Sequence, residues 1–204
     1  MLSYNPYIKR WLDVILSFVA LCCFSPLFLL ISLAIRLESK GSPFFIQQRI
    51  GKGMRPFRLI KFRSMTKHTQ PDNPQFEPGK QLCITRVGAF LRTTKLDELP
   101  ELLNIIKGDM SIVGPRPEVP EYVECYPDEF QQILQIRPGL SDYASIKYRH
   151  EETVLADASD PDEYYRCSIL PDKLRLAKQY VEDLSFVTDC IIIFETVKAI
   201  LRKG

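Results

Sequence analysis

Between Val14 and Ile35 the chain runs for 22 residues without a charged side chain, and no other feature limits its fold as much. As one straight helix, at about 1.5 Å per residue, such a run covers roughly 30 Å, the thickness of a bilayer's hydrocarbon core. Ser25 and Pro26 stand in its middle. A proline inside a helix has no amide hydrogen to donate and crowds the preceding turn. The helix is therefore expected to kink or break there, with the Ser25 hydroxyl satisfying one of the freed backbone groups. Each half, about ten residues, is too short to cross alone.

The flanks add a second constraint. Lys9 and Arg10 precede the run, and from Ser39 to Pro71 there are eight Lys or Arg and no Asp or Glu. Positive charge marks the cytoplasmic side of a membrane segment, and here both flanks carry it. A helix that enters, bends at Ser25-Pro26 and leaves by the same face agrees with both flanks, whereas a kinked spanning helix puts one on the wrong side. The residues alone leave both open. A cleaved signal peptide fits poorly, because the apolar run is long and a basic stretch, not a small-x-small site, follows it.

With 204 residues, 46% of them hydrophobic, and a net charge of +2, the chain is expected to be one domain plus its anchor. We divide it at residues 1–40, the membrane anchor, and 41–204, the folded domain. The near-neutral balance hides a basic stretch after the anchor and acidic ones at Glu118–Asp128 and Asp157–Glu163. Beside an apolar segment, basic residues face anionic membrane lipids or a phosphorylated substrate, and nucleic acid is not an expected partner. Six cysteines without Cys-x-x-Cys spacing and only two histidines suggest neither a disulfide framework nor a zinc site.

In the remainder, "PFFIQQRIGKGMRPFRLIKF" reads as a β-hairpin turning at Gly51-Lys52-Gly53. His68–Gly79, with three prolines, reads as a surface loop. "VGAFLRTTKLDELPELLNIIKG" has helical spacing of its leucines and ends at Gly108. Pro100 is tolerated only in a first turn, so the helix is expected to start near Asp97. Asp160-Pro161-Asp162-Glu163 reads as a further helix start. The last segment carries Phe186, Cys190, Ile193, Phe194, Val197 and Leu201 on one face, as either a core helix or an interfacial one. The fold class is α/β, mostly helical with a short hairpin.

Asp97 and Glu98 at a helix start are ordinary caps taken alone, because unpaired amides and the helix dipole favour negative charge there. The alternative is a carboxylate nucleophile beside a metal-binding carboxylate. In "KGDMSIVGPRP", Arg116 is held between Pro115 and Pro117, a rigid fork suited to phosphate or a base edge.

These residues together resemble a known family, the bacterial sugar transferases, small membrane-embedded phosphoglycosyl transferases that begin glycan assembly on a polyprenol carrier. The resemblance rests on Ser25-Pro26, "QQRIGKGMRPFRLIKFRSM", "LDELPELLNIIKGDMSIVGPRP" and "RPG" at 137–139, and covers about 9–198. It implies a compact domain on the cytoplasmic face of the bacterial inner membrane, held monotopically by a re-entrant helix broken at Ser25-Pro26. It also implies transfer of a phosphosugar from a nucleotide diphosphosugar, usually a UDP-sugar, to polyprenol (undecaprenyl) phosphate with release of UMP. By position, Asp97 matches the nucleophile that forms a covalent intermediate, and Glu98 matches the ligand of Mg²⁺. Lys61, Arg92 and Arg149 match phosphate-contacting positions, and Pro115, Arg116 and Pro117 match the nucleotide-binding turn. A homo-oligomer stays open.

Two departures stand out. After Arg137-Pro138-Gly139 many members continue Thr-Gly-x-Ala-Gln, where this chain has "LSDYAS" and later an acidic segment near Asp157–Tyr165. Where many carry an aspartate before "YYV"-like residues, this chain has Ala177. Both bear on sugar recognition. The rival from another class is a non-catalytic, membrane-anchored scaffold of a glycan-assembly complex.

Overall fold

The computed structural model describes residues 5–65 and 84–201; the loop expected at His68–Gly79 lies outside them. Helix α1 (Pro6–Glu38) is a single 33-residue element, about 50 Å long at 1.5 Å per residue, and by length and composition it is able to cross a membrane. Hydrogen-bonded helix continues through Pro26, so the expected break into two helices is corrected. The reason lies one residue earlier: Ser25 Oγ donates to Cys22 O at 2.9 Å, the carbonyl that the missing Pro26 amide leaves unpaired.

Strands β1 (Phe44–Ile50) and β2 (Pro56–Phe62) pair antiparallel in the expected hairpin, with Ile46 opposite Ile60. Its turn passes through Gly53 at φ 67° and Met54 at φ 60°, the left-handed region where glycine carries no penalty. Helix α2 (Arg86–Thr94) follows, then a 3-10 turn (Leu96–Glu98) and α3 (Glu101–Lys107), which Gly108 closes at φ 102°. The helix expected to begin near Asp97 thus begins at Glu101 with Pro100 as its cap. Pro100 provides no amide, and the bonds before it span three residues, Glu98 N to Lys95 O and Leu99 N to Leu96 O.

A second, parallel pair was not expected: β3 (Ser111–Val113) against β4 (Gly139–Ser141). Between them lie α4 (Pro120–Val123) and α5 (Pro127–Ile133). After β4 come α6 (Tyr143–Lys147), α7 (Glu151–Ala156), α8 (Pro161–Tyr164), a π turn (Tyr165–Ile169), α9 (Leu170–Glu182) and α10 (Phe186–Leu201). Asp160 caps α8 as expected, accepting from Glu163 N. The main core gathers Phe130, Ile133, Leu134, Leu155, Ile169 and Leu170.

Helix α1 is bonded to the rest at both ends. Near its start Lys9 pairs with Asp189 at 2.5 Å, Arg10 donates to Ile105 O and Ile106 O, and the buried Asp13 accepts from Ser111 Oγ and Ile112 N. Near its end Ile31 and Ile35 pack on Phe62 and Leu91, and Glu38 accepts from Arg86 N at 2.7 Å. Its outer face leaves Phe18, Val19, Phe24, Leu29, Leu30 and Leu33 exposed. In α10, only Asp189 and Ile192 are buried, while Phe186, Cys190, Phe194, Val197 and Leu201 are exposed. A core helix is therefore the wrong reading of that stripe. The buried groove that the chain builds for α10 takes up Asp189, through Tyr180 and Lys9, and leaves the apolar stripe outside.

Candidate active site

The site is assembled from three stretches brought together by packing. The first is β2. The side chain of the fully buried Asn104, on α3, accepts from Ile60 N at 3.0 Å and donates to Arg58 O at 2.7 Å. It acts as a partner for the free edge of β2, and so fixes Lys61 against the turn that carries Asp97 and Glu98. That turn is set off from α2 by Lys95, left-handed at φ 58°.

The third stretch is Gly114-Pro115-Arg116-Pro117. A side chain on Gly139 would lie 2.0 Å from Gly114 N, so the backbones meet only as two glycines, and Gly139 N donates to Pro115 O at 2.9 Å. Arg116 then leaves the turn in one direction. Its Nη2 donates to Glu98 Oε1 at 2.7 Å and its Nη1 to Ser145 Oγ at 3.2 Å. Ser145 is itself held by Asp142, which accepts from both its amide and its hydroxyl.

Lys61 Nζ reaches the same Glu98 Oε1 at 2.9 Å and stands 3.2 Å from Glu101 Oε1. The second contact is a salt bridge, longer than the first and shared with it through one ammonium. Asp97 Oδ1 is enclosed and has no hydrogen-bond partner among the described residues. Three carboxylates thus face two cations.

Burial decides which carboxylate bears its charge. It works against ionised Glu98, but Arg116 and Lys61 outweigh it and hold Glu98 well below the usual carboxylate range. Burial raises Asp97, against the pull of Lys61. Burial and the neighbouring Glu98 charge push Glu101 up to about 7. Burial also opposes the charge on Lys61, but Glu98 and Glu101 prevail and its pKa is raised.

Of the residues singled out from sequence, Asp97, Glu98, Lys61 and Arg116 converge. Arg92 lies at the end of α2, close enough for its charge to favour ionised Asp97, and is ion-paired with Glu152. Arg149 donates one hydrogen bond to Ile200 O, on α10, at 3.5 Å. Part of the basic stretch turns inward: Arg49 bonds Pro117 O and Glu118, and Arg63 bonds the carbonyls of Ser39 and Lys40. Sequence reading missed Glu101, Asn104 and Ser145. Glu101 was legible as the acid three residues after Glu98, on the same helical side. Ala177, one of the departures, lines a small cavity with Arg116, Asp142 and Lys173.

Magnesium is held by one or two carboxylates together with substrate phosphate oxygens. Adjacent Asp97 and Glu98, with the enclosed Asp97 Oδ1 unpartnered, form a donor set of that kind. They fit an ion that arrives with a diphosphate. No group of three or more His, Cys, Asp or Glu able to hold a metal occurs among the described residues.

Comparison with known proteins matches the family described as bacterial sugar transferase over residues 4–203. One relative is the UDP-N-acetylgalactosamine-undecaprenyl-phosphate N-acetylgalactosaminephosphotransferase of Aeromonas hydrophila, 37% identical over 96% of this chain and 44% of its own length. The exopolysaccharide production protein ExoY of Rhizobium meliloti is 36% identical over 96% of this chain and 87% of that protein. The UDP-glucose:undecaprenyl-phosphate glucose-1-phosphate transferase of Caulobacter vibrioides is 37% identical over 95% and 69%. The chain thus spans less than half of the Aeromonas relative and most of the other two. Asp97 beside a Glu98 that Lys61 and Arg116 both hold, and a family match over nearly every residue, lead to one assignment: the chain belongs to the bacterial sugar transferases.

Proposed function

We propose that this protein transfers a phosphosugar from a UDP-sugar to polyprenol (undecaprenyl) phosphate, releasing UMP, as the first membrane step in assembling a glycan. The observation that carries the reading is Asp97, with an enclosed unpartnered oxygen, beside a Glu98 that Lys61 and Arg116 both grip. The names of the relatives support the donor and acceptor classes.

The chemistry divides into two displacements at one phosphorus. An Asp97 oxygen attacks the phosphorus that carries the sugar; the bond to the bridging oxygen breaks, and its electron pair leaves with UMP. A phosphate oxygen of the polyprenol then attacks the same phosphorus, and the aspartyl bond breaks to restore the carboxylate. Lys61 and Arg116 offset the charge that accumulates on the phosphoryl oxygens. Mg²⁺, if held by Glu98 and Asp97, would neutralise diphosphate charge that otherwise repels the attacking carboxylate. Pro115 and Pro117 keep Arg116 aimed at the nucleotide side. Arg92 and Arg149 are assigned to more distant phosphate contacts.

The anchor follows the same logic. Bonds from both ends of α1 to one domain support a monotopic helix that enters and leaves the membrane by the same face. A bend at Ser25-Pro26 turns the exposed apolar middle into the lipid of the inner membrane, leaving Asp97 on the cytoplasmic face near headgroup depth, where the acceptor phosphate lies. The test is UMP release from UDP-sugars by lipid-reconstituted protein with polyprenol phosphate and Mg²⁺. Release that depends on Asp97 supports the transferase; unaltered biological function of Asp97→Asn supports the scaffold.

A further inference from the structure

The cluster holds one carboxylate that the proposed displacements do not use. Glu101 is 2% exposed, in the first turn of α3, and its Oε1 pairs with Lys61 Nζ at 3.2 Å. A buried carboxylate held, among the described residues, only by a cation that it shares with Glu98 is costly unless the arrangement has another use for it. Lys61, for its part, has two acceptors nearly equidistant, at 2.9 and 3.2 Å. The first of these, Glu98 Oε1, also takes the Arg116 guanidinium at 2.7 Å. Glu98 therefore has two cations on one oxygen, while Glu101 has a share of one.

We propose that Glu101 is a positioning residue, a second seat for the Lys61 ammonium that keeps it paired and aimed when substrate draws Glu98 away. This rests on the transferase reading above. An incoming diphosphate and its counter-ion compete for Glu98. A lysine with Glu98 as its only partner would follow that carboxylate or pair with the phosphate at random. With Glu101 behind it, the ammonium has only to turn toward an oxygen already within contact. Its Nζ stays beside Asp97, where the charge of the attacked phosphoryl group appears. Glu101 touches no reacting atom; its effect passes through Lys61. The groups that face Glu101 and set this balance are Lys61 from β2, Glu98 from the 3-10 turn, and Arg116 from the turn after β3.

The experiment is a double-mutant cycle with Lys61→Met and Glu101→Gln in lipid-reconstituted protein, with UMP release as one readout and the Lys61 ¹⁵Nζ ammonium resonance as the other. Glu101→Asp is the conservative control. Glu101→Gln keeps the shape and the buried hydrogen-bonding atoms, and a cooperative unfolding transition at or above the wild-type temperature establishes that it folds. The expected loss in kcat/KM is about tenfold, the effect of one charge-assisted contact. It should be absent when Lys61 is already methionine and partly restored in Glu101→Asp, and the ¹⁵Nζ resonance should shift in Glu101→Gln. Losses that multiply in the double variant, or an unmoved ¹⁵Nζ signal, would overturn the proposal. Absence of UMP release from the wild type would defeat the transferase reading instead, and the ¹⁵Nζ comparison would still decide whether Glu101 places the lysine.

Discussion

Arg116 Nη2 donates to Glu98 Oε1 at 2.7 Å, joining two residues 18 positions apart in sequence, one before strand β3 and one after it. The bond closes the active cluster, because the same oxygen takes Lys61. Arginine holds its planar fork between Glu98 and Ser145, which a lysine cannot copy. Arg116→Lys should lower kcat/KM for the donor by about tenfold or more, mainly through KM. Steady-state kinetics with varied UDP-sugar check this, and unchanged KM would count against the nucleotide-side role.

The pH dependence of stability should carry the signature of Glu101. Its carboxyl is pushed up to about 7 from the ordinary value of 4.5. Between those two values the substrate-free native protein holds a proton that the unfolded chain has released, so stability falls as pH rises through the window. Glu101→Gln, neutral throughout, should lose this slope and be more stable than wild type at pH 8 by about 1 to 3 kcal/mol. Glu98, held low, acts in the opposite direction, but only below the ordinary carboxylate range. Thermal unfolding of both proteins at pH 5 and pH 8 separates the two effects.

Asn104 ties the site to the fold. Asn104→Leu leaves Ile60 N–H and Arg58 C=O without their partner, and each buried orphan costs about 1 to 3 kcal/mol. We expect destabilisation in denaturant titrations together with loss of activity, because Lys61 no longer has a fixed height relative to Glu98. Wild-type stability would show that β2 is held by its hairpin alone.

Topology is tested at the two ends of α1. Tyr7 and Leu37 are both highly exposed, at 77% and 78%. In a background without other cysteines, Tyr7→Cys and Leu37→Cys should react with a membrane-impermeant thiol reagent from the same side of a sealed vesicle. Labelling from opposite sides would establish a spanning helix. Pro26→Ala, which restores the amide that Cys22 O lacks, should shift position 7 toward the far side.

Local chemistry made much of this legible in the sequence. The Ser25–Cys22 bond was readable because a missing amide and the hydroxyl beside it are neighbours in the chain. The hairpin at Gly51–Gly53 and the cap at Asp160 are local in the same way. The residues Asp97, Glu98, Lys61 and Arg116 were recognisable as a set from the family resemblance, but the meeting of Lys61 and Arg116 on one oxygen of Glu98 was not. It depends on Asn104 bridging α3 to β2 and on two glycines meeting across β3 and β4, contacts between distant segments that periodicity does not encode. The α10 stripe was ambiguous for a physical reason: an apolar face is equally consistent with a core and with a lipid surface, and only Asp189 taking the inner position settles which way it points.

The central claim is that Asp97 becomes covalently linked to the phosphosugar, and the most direct measurement omits the acceptor. Lipid-reconstituted protein is mixed with a panel of UDP-sugars and Mg²⁺ but no polyprenol phosphate, quenched, and analysed by mass spectrometry. The account predicts about one UMP released per protein molecule with its matching donor and a mass increase of one phosphosugar on the peptide that contains Asp97, both absent in Asp97→Asn. UMP release only when polyprenol phosphate is added, with the protein mass unchanged throughout, would contradict it.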